Sequence, residues 1–133
     1  MTDIPAKTVW PIITYSDARA AVDFLVTAFG FAEKVMVPDA DGAVAHGELA
    51  WPEGGGVMIH TEGVGDPVFG GRQVGQSSVY VVTDDPHRVL AAAQAAGAEI
   101  IRELRDEDYG STGFSAKDPE GNIFSFGTYR GEA

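Results

Sequence analysis

Two histidines and a glutamate are the side chains in this sequence best suited to binding a metal or moving a proton. His46 and Glu48 are two positions apart in a predicted strand, so their side chains share one face of it. A hairpin centred near Glu53 would place His46 opposite His60. The same hairpin puts Glu48 opposite Met58. The three polar groups then form either a two-histidine, one-carboxylate metal site or a polar patch beside a wet groove. The weak spacing signal favours the patch.

Aromatic and hydroxyl side chains occupy one face of several other predicted strands. Trp10 lies on the mixed face of the first strand, Ser78 and Tyr80 on that of the fifth, and Ser125 on that of the last. The opposite faces of these strands are apolar and are expected to pack under the helices. We therefore expect the mixed faces to form the wall of a roomy aromatic pocket, with the two histidines and the glutamate in the same groove. For Trp10, ordinary core packing is an equal alternative.

Other catalytic chemistries lack the residues that they need. The sequence contains no cysteine and no Gly-x-Ser-x-Gly motif, which argues against a thiol nucleophile, thiolate ligands and a serine hydrolase. The glycine runs at 54–56 and 70–71 are followed by no Lys-Ser/Thr pair and open no predicted helix. They therefore predict turns and a linker rather than phosphate-binding loops.

The composition narrows the class of partner and the compartment. The net charge of −11, from 20 acidic residues against 9 lysines and arginines, argues against nucleic acid. It is compatible with a cationic ligand, but solubility in an acidic proteome is the favoured explanation. No apolar run reaches the roughly 18 residues of a membrane span, and the start lacks a signal-peptide pattern. Together with the absence of cysteine, this predicts a cytoplasmic protein that binds no membrane.

The chain carries an internal repeat of about half its length. Asp17 ends an apolar strand and starts a predicted helix that stops at Gly30, and Asp84 and Gly97 repeat this with the same 13-residue separation. The apolar positions of the first helix follow the helical period and are Ala18, Ala21, Val22, Leu25 and Phe29. Neither half is large enough to bury a good core alone. The halves are therefore expected to pack together, with a ligand in the cleft between them.

These elements predict an α+β fold in which two tandem βαβββ modules form a curled mixed sheet around a groove. The chain is expected to be a single domain. Module one covers about 8–61, a glycine-rich linker covers 62–76, and module two covers about 77–129. The acidic loop 105–112 is either a lid at the mouth of the groove or a solvated turn.

Three stretches resemble the vicinal oxygen chelate superfamily, which includes glyoxalases, bleomycin-resistance proteins and extradiol dioxygenases. They are HGEL at 46–49, DYGSTGF at 108–114 and DPEGNIFSFGTY at 118–129, set within paired modules that each open with strand-Asp-helix-Gly. The resemblance covers roughly residues 8–129. It implies the fold of that superfamily and its glyoxalase-like branch, for which the resemblance assigns no activity.

The resemblance also implies four metal-ligand positions, one each in the first, third, fifth and last strands. In the superfamily they usually hold His, Gln or Glu. Here they are Trp10, Glu48, Ser78 (or Ser77, if the register shifts by one) and Ser125. One carboxylate cannot hold a divalent ion at useful affinity, because such sites normally need three protein ligands. We therefore expect no metal cofactor.

The resemblance supports three hypotheses of function. The first is a metal-free homodimer whose groove captures a small cationic aromatic molecule, with Glu48 facing the positive charge. The second is a metal-dependent lyase, isomerase or dioxygenase in which Glu48 is the general base, assisted by His46 or His60. The third is an interaction module without a ligand. In a homodimer, the 62–76 linker would permit exchange of halves between chains.

Overall fold

The computed structural model describes residues 9–64 and 74–131 and shows two modules with the same order of strands and helix. Module one consists of β1 (Ile12–Tyr15), α1 (Ala18–Phe24), which continues into a π-helical turn π1 (Leu25–Phe29), β2 (Ala32–Pro38), β3 (Val44–Ala50) and β4 (Gly56–Thr61). Module two consists of β5 (Ser78–Val82), α2 (Pro86–Ala95), β6 (Glu99–Asp106), β7 (Thr112–Lys117) and β8 (Ile123–Gly127). The predicted pair of βαβββ modules is confirmed. Most of the predicted linker, 65–73, lies outside the described residues.

Each module forms one four-stranded mixed sheet, called sheet one and sheet two below. The strand orders are β1-β4-β3-β2 and β5-β8-β7-β6, and the two sheets do not close into one barrel. In each sheet the first and last strands of the module pair in parallel, and the other neighbours are antiparallel. Glu48 pairs with Met58 and Gly47 with Ile59, so the predicted register of the β3–β4 hairpin is confirmed.

The starts of the two helices correct the repeat in one detail. Asp17 caps α1 as predicted, but α2 is capped by Asp85 and not by Asp84. Each capping carboxylate accepts a backbone N–H three residues on, at 3.1 Å. The capping aspartate therefore lies 13 residues before Gly30 in module one, but only 12 residues before Gly97 in module two. The first copy accommodates its extra residue in π1, which is how helices commonly absorb an insertion. Neither described helix is long and apolar enough to cross a lipid bilayer.

One hydrophobic core joins the two modules. Phe29 of π1 lies at their contact, with its ring centroid 5.2 Å from that of Phe124 and 4.9 Å from that of Phe126. The ring centroid of Trp51 lies 5.7 Å from that of Phe126, and the indole N–H of Trp51 donates to the carbonyl of Val82 at 2.8 Å. All five apolar positions predicted for the first helix are buried. The halves thus pack together as predicted. Aromatic side chains fill the centre of the contact, and a hollow of about 260 Å³ lies beside them between the modules, where residues such as Pro11 and Gly56 face Val79 and Tyr80.

Two glutamates in equivalent hairpin turns tie each module to the helix start of the other. Glu120, between β7 and β8, accepts hydrogen bonds from the Ser16 N–H at 2.7 Å, the Ser16 hydroxyl at 2.8 Å and the next residue's N–H at 2.9 Å. Glu53, between β3 and β4, accepts from the Thr83 hydroxyl and the Asp84 N–H, both at 2.8 Å. Negative charge is favourable at a helix N-terminus. Here each module supplies it to the other.

A buried polar network also crosses between the modules. Tyr15 is fully buried, and its hydroxyl donates to Asp118 Oδ2 at 2.6 Å. The same oxygen accepts the side-chain amide of Asn122 at 2.9 Å, and Asn122 Oδ1 accepts the Ser77 N–H at 2.9 Å. Burial, together with the negative charge of Asp118 and its hydrogen bond, raises the pKa of Tyr15 well above its ordinary value. The phenol is therefore held protonated as a donor.

We expect Tyr15 to make the folded protein less stable in alkaline solution. An unfolded tyrosine loses its proton near pH 10, whereas folded Tyr15 keeps it. Above that pH the unfolded chain binds fewer protons than the folded one, so the free energy of unfolding falls by about 1.4 kcal/mol per pH unit from this group. Tyr15→Phe should remove that slope. Urea unfolding of both proteins between about pH 9 and about pH 11.5 measures it, and parallel pH profiles would contradict the expectation.

Candidate functional site

The predicted site residues lie on the outer faces of the two sheets, opposite the shared core. Sheet one carries His46, Glu48 and His60, and sheet two carries Ser78, Tyr80 and Ser125. Trp10 precedes β1 and its ring lies against Gly56, where an added Cβ would sit only 2.9 Å from the indole. The hollows over the two outer faces share no lining residue. Within one chain, therefore, the residues predicted for a single groove occupy two surfaces.

On sheet one, the two histidines bond to different partners. His46 Nε2 lies 2.7 Å from Glu48 Oε2, and both side chains are partly exposed. His60 is buried, and its Nε2 lies 2.6 Å from the hydroxyl of Thr14. No three metal-binding side chains come close enough to hold an ion anywhere in residues 9–64 and 74–131. The described residues therefore do not bring the two histidines and the glutamate together as three metal ligands, because the imidazole of His60 lies against Thr14 and not against Glu48.

The hollow over sheet one is mainly apolar. It has a volume of about 230 Å³ and is lined by Ile12, Ala45, His46, Met58, Ile59, His60 and Val64. Glu48 stands beside it, between Met58 on β4 and Val35 on β2. No lysine or arginine of the described residues forms an ion pair with Glu48. Among the described residues, its carboxylate has the imidazole of His46, which lines the hollow, as its one hydrogen-bond partner.

The four ligand positions implied by the superfamily do not fit a metal in this chain. Trp10 stands seven residues before the cap of α1 and Ser78 seven before the cap of α2, so the corrected cap selects Ser78 over Ser77. Ser125 Oγ lies 2.7 Å from Ser115 Oγ and is engaged in that hydrogen bond. Of the side chains at these four positions, Glu48 is the one carboxylate, and the other three are an indole and two hydroxyls. Such a set lacks the three nitrogen, sulfur or carboxylate ligands that divalent metals need.

Sheet two carries a second hollow of about 190 Å³ on its outer face. It is lined by Tyr80, Arg102, Glu107, Tyr109, Ser111, Gly113, Phe114, Ser115, Ser125, Phe126 and Gly127. The Tyr80 hydroxyl donates to the carbonyl of Tyr129 at 2.6 Å, and the rings of Tyr109 and Tyr129 meet edge to face at 5.8 Å. Burial raises the pKa of Tyr80, and a hydrogen bond with Ser111 opposes that shift. The loop predicted as a lid or a solvated turn thus contributes Tyr109 to this hollow.

Arg102 is one of the lining residues that sequence reasoning missed, and the reason is that β6 does not alternate regularly. Glu99 pairs with Lys117 and Ile100 with Ala116, so strict alternation would set Arg102 opposite Phe114, on the core side. A register shift instead places Arg102 opposite Ser115, on the outer face. Bulges of this kind re-aim side chains. The charged residues at 102, 103, 105 and 106 were the available signal, but they do not locate a bulge.

The fold and outer faces define a class of protein: a chain of two βαβββ modules whose separate sheets each leave one face open. The sequence model described as "Glyoxalase/Bleomycin resistance protein/Dioxygenase superfamily" matches residues 7–126. The chain belongs to that superfamily.

Similar proteins share this fold over nearly their whole length. TioX from Micromonospora sp. ML1 is 30% identical, with a TM-score of 0.74 over 90% of this chain and 98% of that one. A glyoxalase/bleomycin resistance protein from Streptomyces sp. CB03234 has a TM-score of 0.66 at 21% identity, over 89% and 98% of the two chains, and so shows the fold alone. An uncharacterized protein of Mycobacterium bovis is 28% identical in an alignment 124 residues long, which covers 88% of this chain and 80% of the relative.

Proposed function

We propose that this protein binds a small cationic aromatic molecule without a metal, over the outer face of sheet one. The observation that carries the proposal is the position of Glu48: a carboxylate without an arginine or lysine partner among the described residues, beside an apolar hollow of about 230 Å³. A hollow of this size is below the range that holds drug-sized compounds, which favours a ligand of one or two rings.

Charge and shape act together at this face. The side chain of Glu48 is 28% exposed, so part of its surrounding water is already replaced by protein. Attraction between opposite charges is stronger there than in bulk water. The aliphatic walls formed by Ile12 and Met58 would contact the rings of the ligand, whereas the hydrogen bond from His46 fixes the carboxylate in place. Membership of a superfamily that includes bleomycin-resistance proteins is compatible with binding of this kind.

We expect 2-naphthylmethylamine to raise the melting temperature of the protein, because a ligand that binds only the folded state stabilises it. Glu48→Gln should weaken binding about five- to tenfold, since it removes a charge interaction of about 1 kcal/mol and keeps the size of the side chain. Titration calorimetry at low ionic strength measures the affinity of both proteins.

The matched control is Glu103→Gln, which removes the same charge from an exposed position on β6. It should bind the amine as the unchanged protein does. Equal weakening by both variants would show that only the overall charge matters. The absence of a melting shift across a broad panel of aromatic cations would reject the proposal.

An enzyme is the second candidate, and the contact between Glu48 and His46 favours it. A carboxylate that holds an imidazole by a 2.7 Å hydrogen bond orients the ring and can support general acid–base catalysis. The metal-dependent lyase, isomerase or dioxygenase form of this hypothesis needs more ligands than the described residues bring together. Stoichiometric metal in the purified protein, lost in Glu48→Gln, would establish that form and displace the first proposal.

We also propose that the protein is a homodimer. Ile12, Val35 and Val37 are exposed apolar side chains on the outer face of sheet one. Burial of such a surface against a second copy is favourable. Light scattering should then report twice the chain mass of 14.0 kDa, and the mass of a single chain would contradict the proposal.

A further inference from the structure

Four side chains form a straight row across the outer face of sheet two. Tyr80 on β5 pairs with Ser125 on β8, Ser125 with Ser115 on β7, and Ser115 with Arg102 on β6. Paired residues on one face stand side by side. The row therefore has a tyrosine at one end, an arginine at the other and two hydroxyls between them. The equivalent row of sheet one has Ile12, Met58, Glu48 and Val35, so the duplicated faces have diverged in charge.

Small residues open a trough along this row. Beside the two serines lie Gly127 and Gly113, which pair with one another. A Cβ added at Gly127 would lie 2.8 Å from the Tyr80 hydroxyl oxygen and 3.2 Å from a ring carbon, so the tyrosine ring leans over the glycine. Tyr80 and Arg102 form the sides, the serines and glycines form the floor, and Tyr109 from the β6–β7 loop lies at the rim.

The trough carries a positive charge that this acidic protein does not neutralise. Arg19, Arg105 and Arg130 each pair with a carboxylate, whereas within the described residues none lies within ion-pair distance of Arg102. Glu107 also lines the trough, but its Oε1 accepts the Arg105 Nε–H at 2.7 Å. The net charge of −11 provides many acidic residues that could have paired with Arg102. A guanidinium left free beside two hydroxyls and two phenol rings matches a planar anion.

We propose that this trough binds a one- or two-ring aromatic carboxylate, whose carboxylate pairs with Arg102 and whose ring packs against Tyr80 and Tyr109. The planar guanidinium offers two parallel N–H groups to a carboxylate, and tyrosine rings favour edge or offset contact with an aromatic ring. A volume of about 190 Å³ is below the range that holds drug-sized compounds, which favours a ligand of one or two rings. The inference goes beyond the proposed function, since it concerns the other sheet, the other charge and a separate set of residues.

The test is titration calorimetry with 2-naphthoate, and with 2-naphthylmethylamine as the matched cation. We expect Arg102→Gln to weaken 2-naphthoate binding about tenfold or more, because a charge-assisted hydrogen bond is lost. The control is Arg88→Gln, which removes the same charge from an exposed arginine on α2 and should leave the affinity unchanged. Arg102 is exposed, so its replacement is expected to leave the fold intact, and circular dichroism checks this.

The outcomes separate this inference from the proposal at Glu48. Binding of 2-naphthoate that is lost in Arg102→Gln, but not weakened in Glu48→Gln, supports the trough whether or not the amine binds. No detectable binding of 2-naphthoate by the unchanged protein overturns the inference. Equal affinities of Arg102→Gln and Arg88→Gln would overturn it too, because the attraction would then come from overall charge alone.

Discussion

Replacing Asp118 with alanine is expected to lower the free energy of unfolding by about 3–4 kcal/mol, against about 1 kcal/mol for Asp39→Ala. The two aspartates hold the same kind of turn. Each Oδ1 accepts the backbone N–H groups two and four residues on, at 2.9–3.0 Å. In addition, Asp118 is buried and its Oδ2 accepts the Tyr15 hydroxyl and the Asn122 amide. The difference between the variants therefore isolates the buried network from the turn.

The large effect follows from what Asp118→Ala leaves behind. Tyr15 and Asn122 are fully buried, so neither group can turn to bulk water when its acceptor is removed. A buried donor without a partner costs about 1–3 kcal/mol, and here two such donors are created. Since small domains are stable by only about 5–15 kcal/mol, the variant should fold but melt at a clearly lower temperature.

Urea unfolding followed by circular dichroism measures both variants. The m-values should match that of the unchanged protein, which would show that the midpoint shifts report stability. A difference between Asp118→Ala and Asp39→Ala of less than about 1 kcal/mol would mean that water replaces the lost acceptor, and the network would then not be what joins β1 to module two.

Phe29→Ala is expected to cost about 3–5 kcal/mol, the range for removing a buried phenylalanine. The Phe29 side chain belongs to module one, but its ring packs on Phe124 and Phe126 of module two as well as on Phe24. The cavity would therefore open at the contact between the modules. Val26→Ala in the same π1 turn is the control, because Val26 is exposed and its truncation should cost less than about 1 kcal/mol.

Phe29→Ala also tests whether the two modules unfold together. Tryptophan fluorescence reports on Trp10 in module one and on Trp51 at the contact between the modules, whereas circular dichroism reports on the strands and helices of both modules. Because the modules share one core, the tryptophan fluorescence and the circular dichroism of a given protein should change at the same urea concentration. This should hold for the unchanged protein and, at its own lower midpoint, for Phe29→Ala. Separate transitions, or a small loss of stability in Phe29→Ala, would show that each module has its own core.

Local patterns in the sequence were sufficient for the elements and for one sheet register. The apolar stripe of the first helix is buried as its period predicted, and Glu48 lies opposite Met58 as the hairpin predicted. The cap of the second helix was the main local error. Two adjacent aspartates, Asp84 and Asp85, satisfy the same propensity, and the assumed equal spacing selected the wrong one because the other copy contains a π turn.

Contacts between distant residues were outside the reach of those patterns. Tyr15 bonds to Asp118, which is 103 residues away along the chain, and Ser16 bonds to Glu120, which is 104 residues away. Propensity and periodicity act over a few residues. Contacts of this separation depend on how the two modules dock, which neither half encodes locally.

The sequence by itself determined that this protein is a duplicated βαβββ chain, since periodicity, caps and turns repeat along it. Of the four metal positions that its resemblance to the superfamily implies, only Glu48 holds a carboxylate. Only the tertiary structure decided which of the site residues lie on sheet one and which on sheet two. Because both modules turn their oily faces into one core, the polar faces point outward, with Glu48 on one sheet and Tyr80 on the other. A bulge in β6 then turned Arg102 outward as well, because a register shift reverses the face on which the following side chains lie.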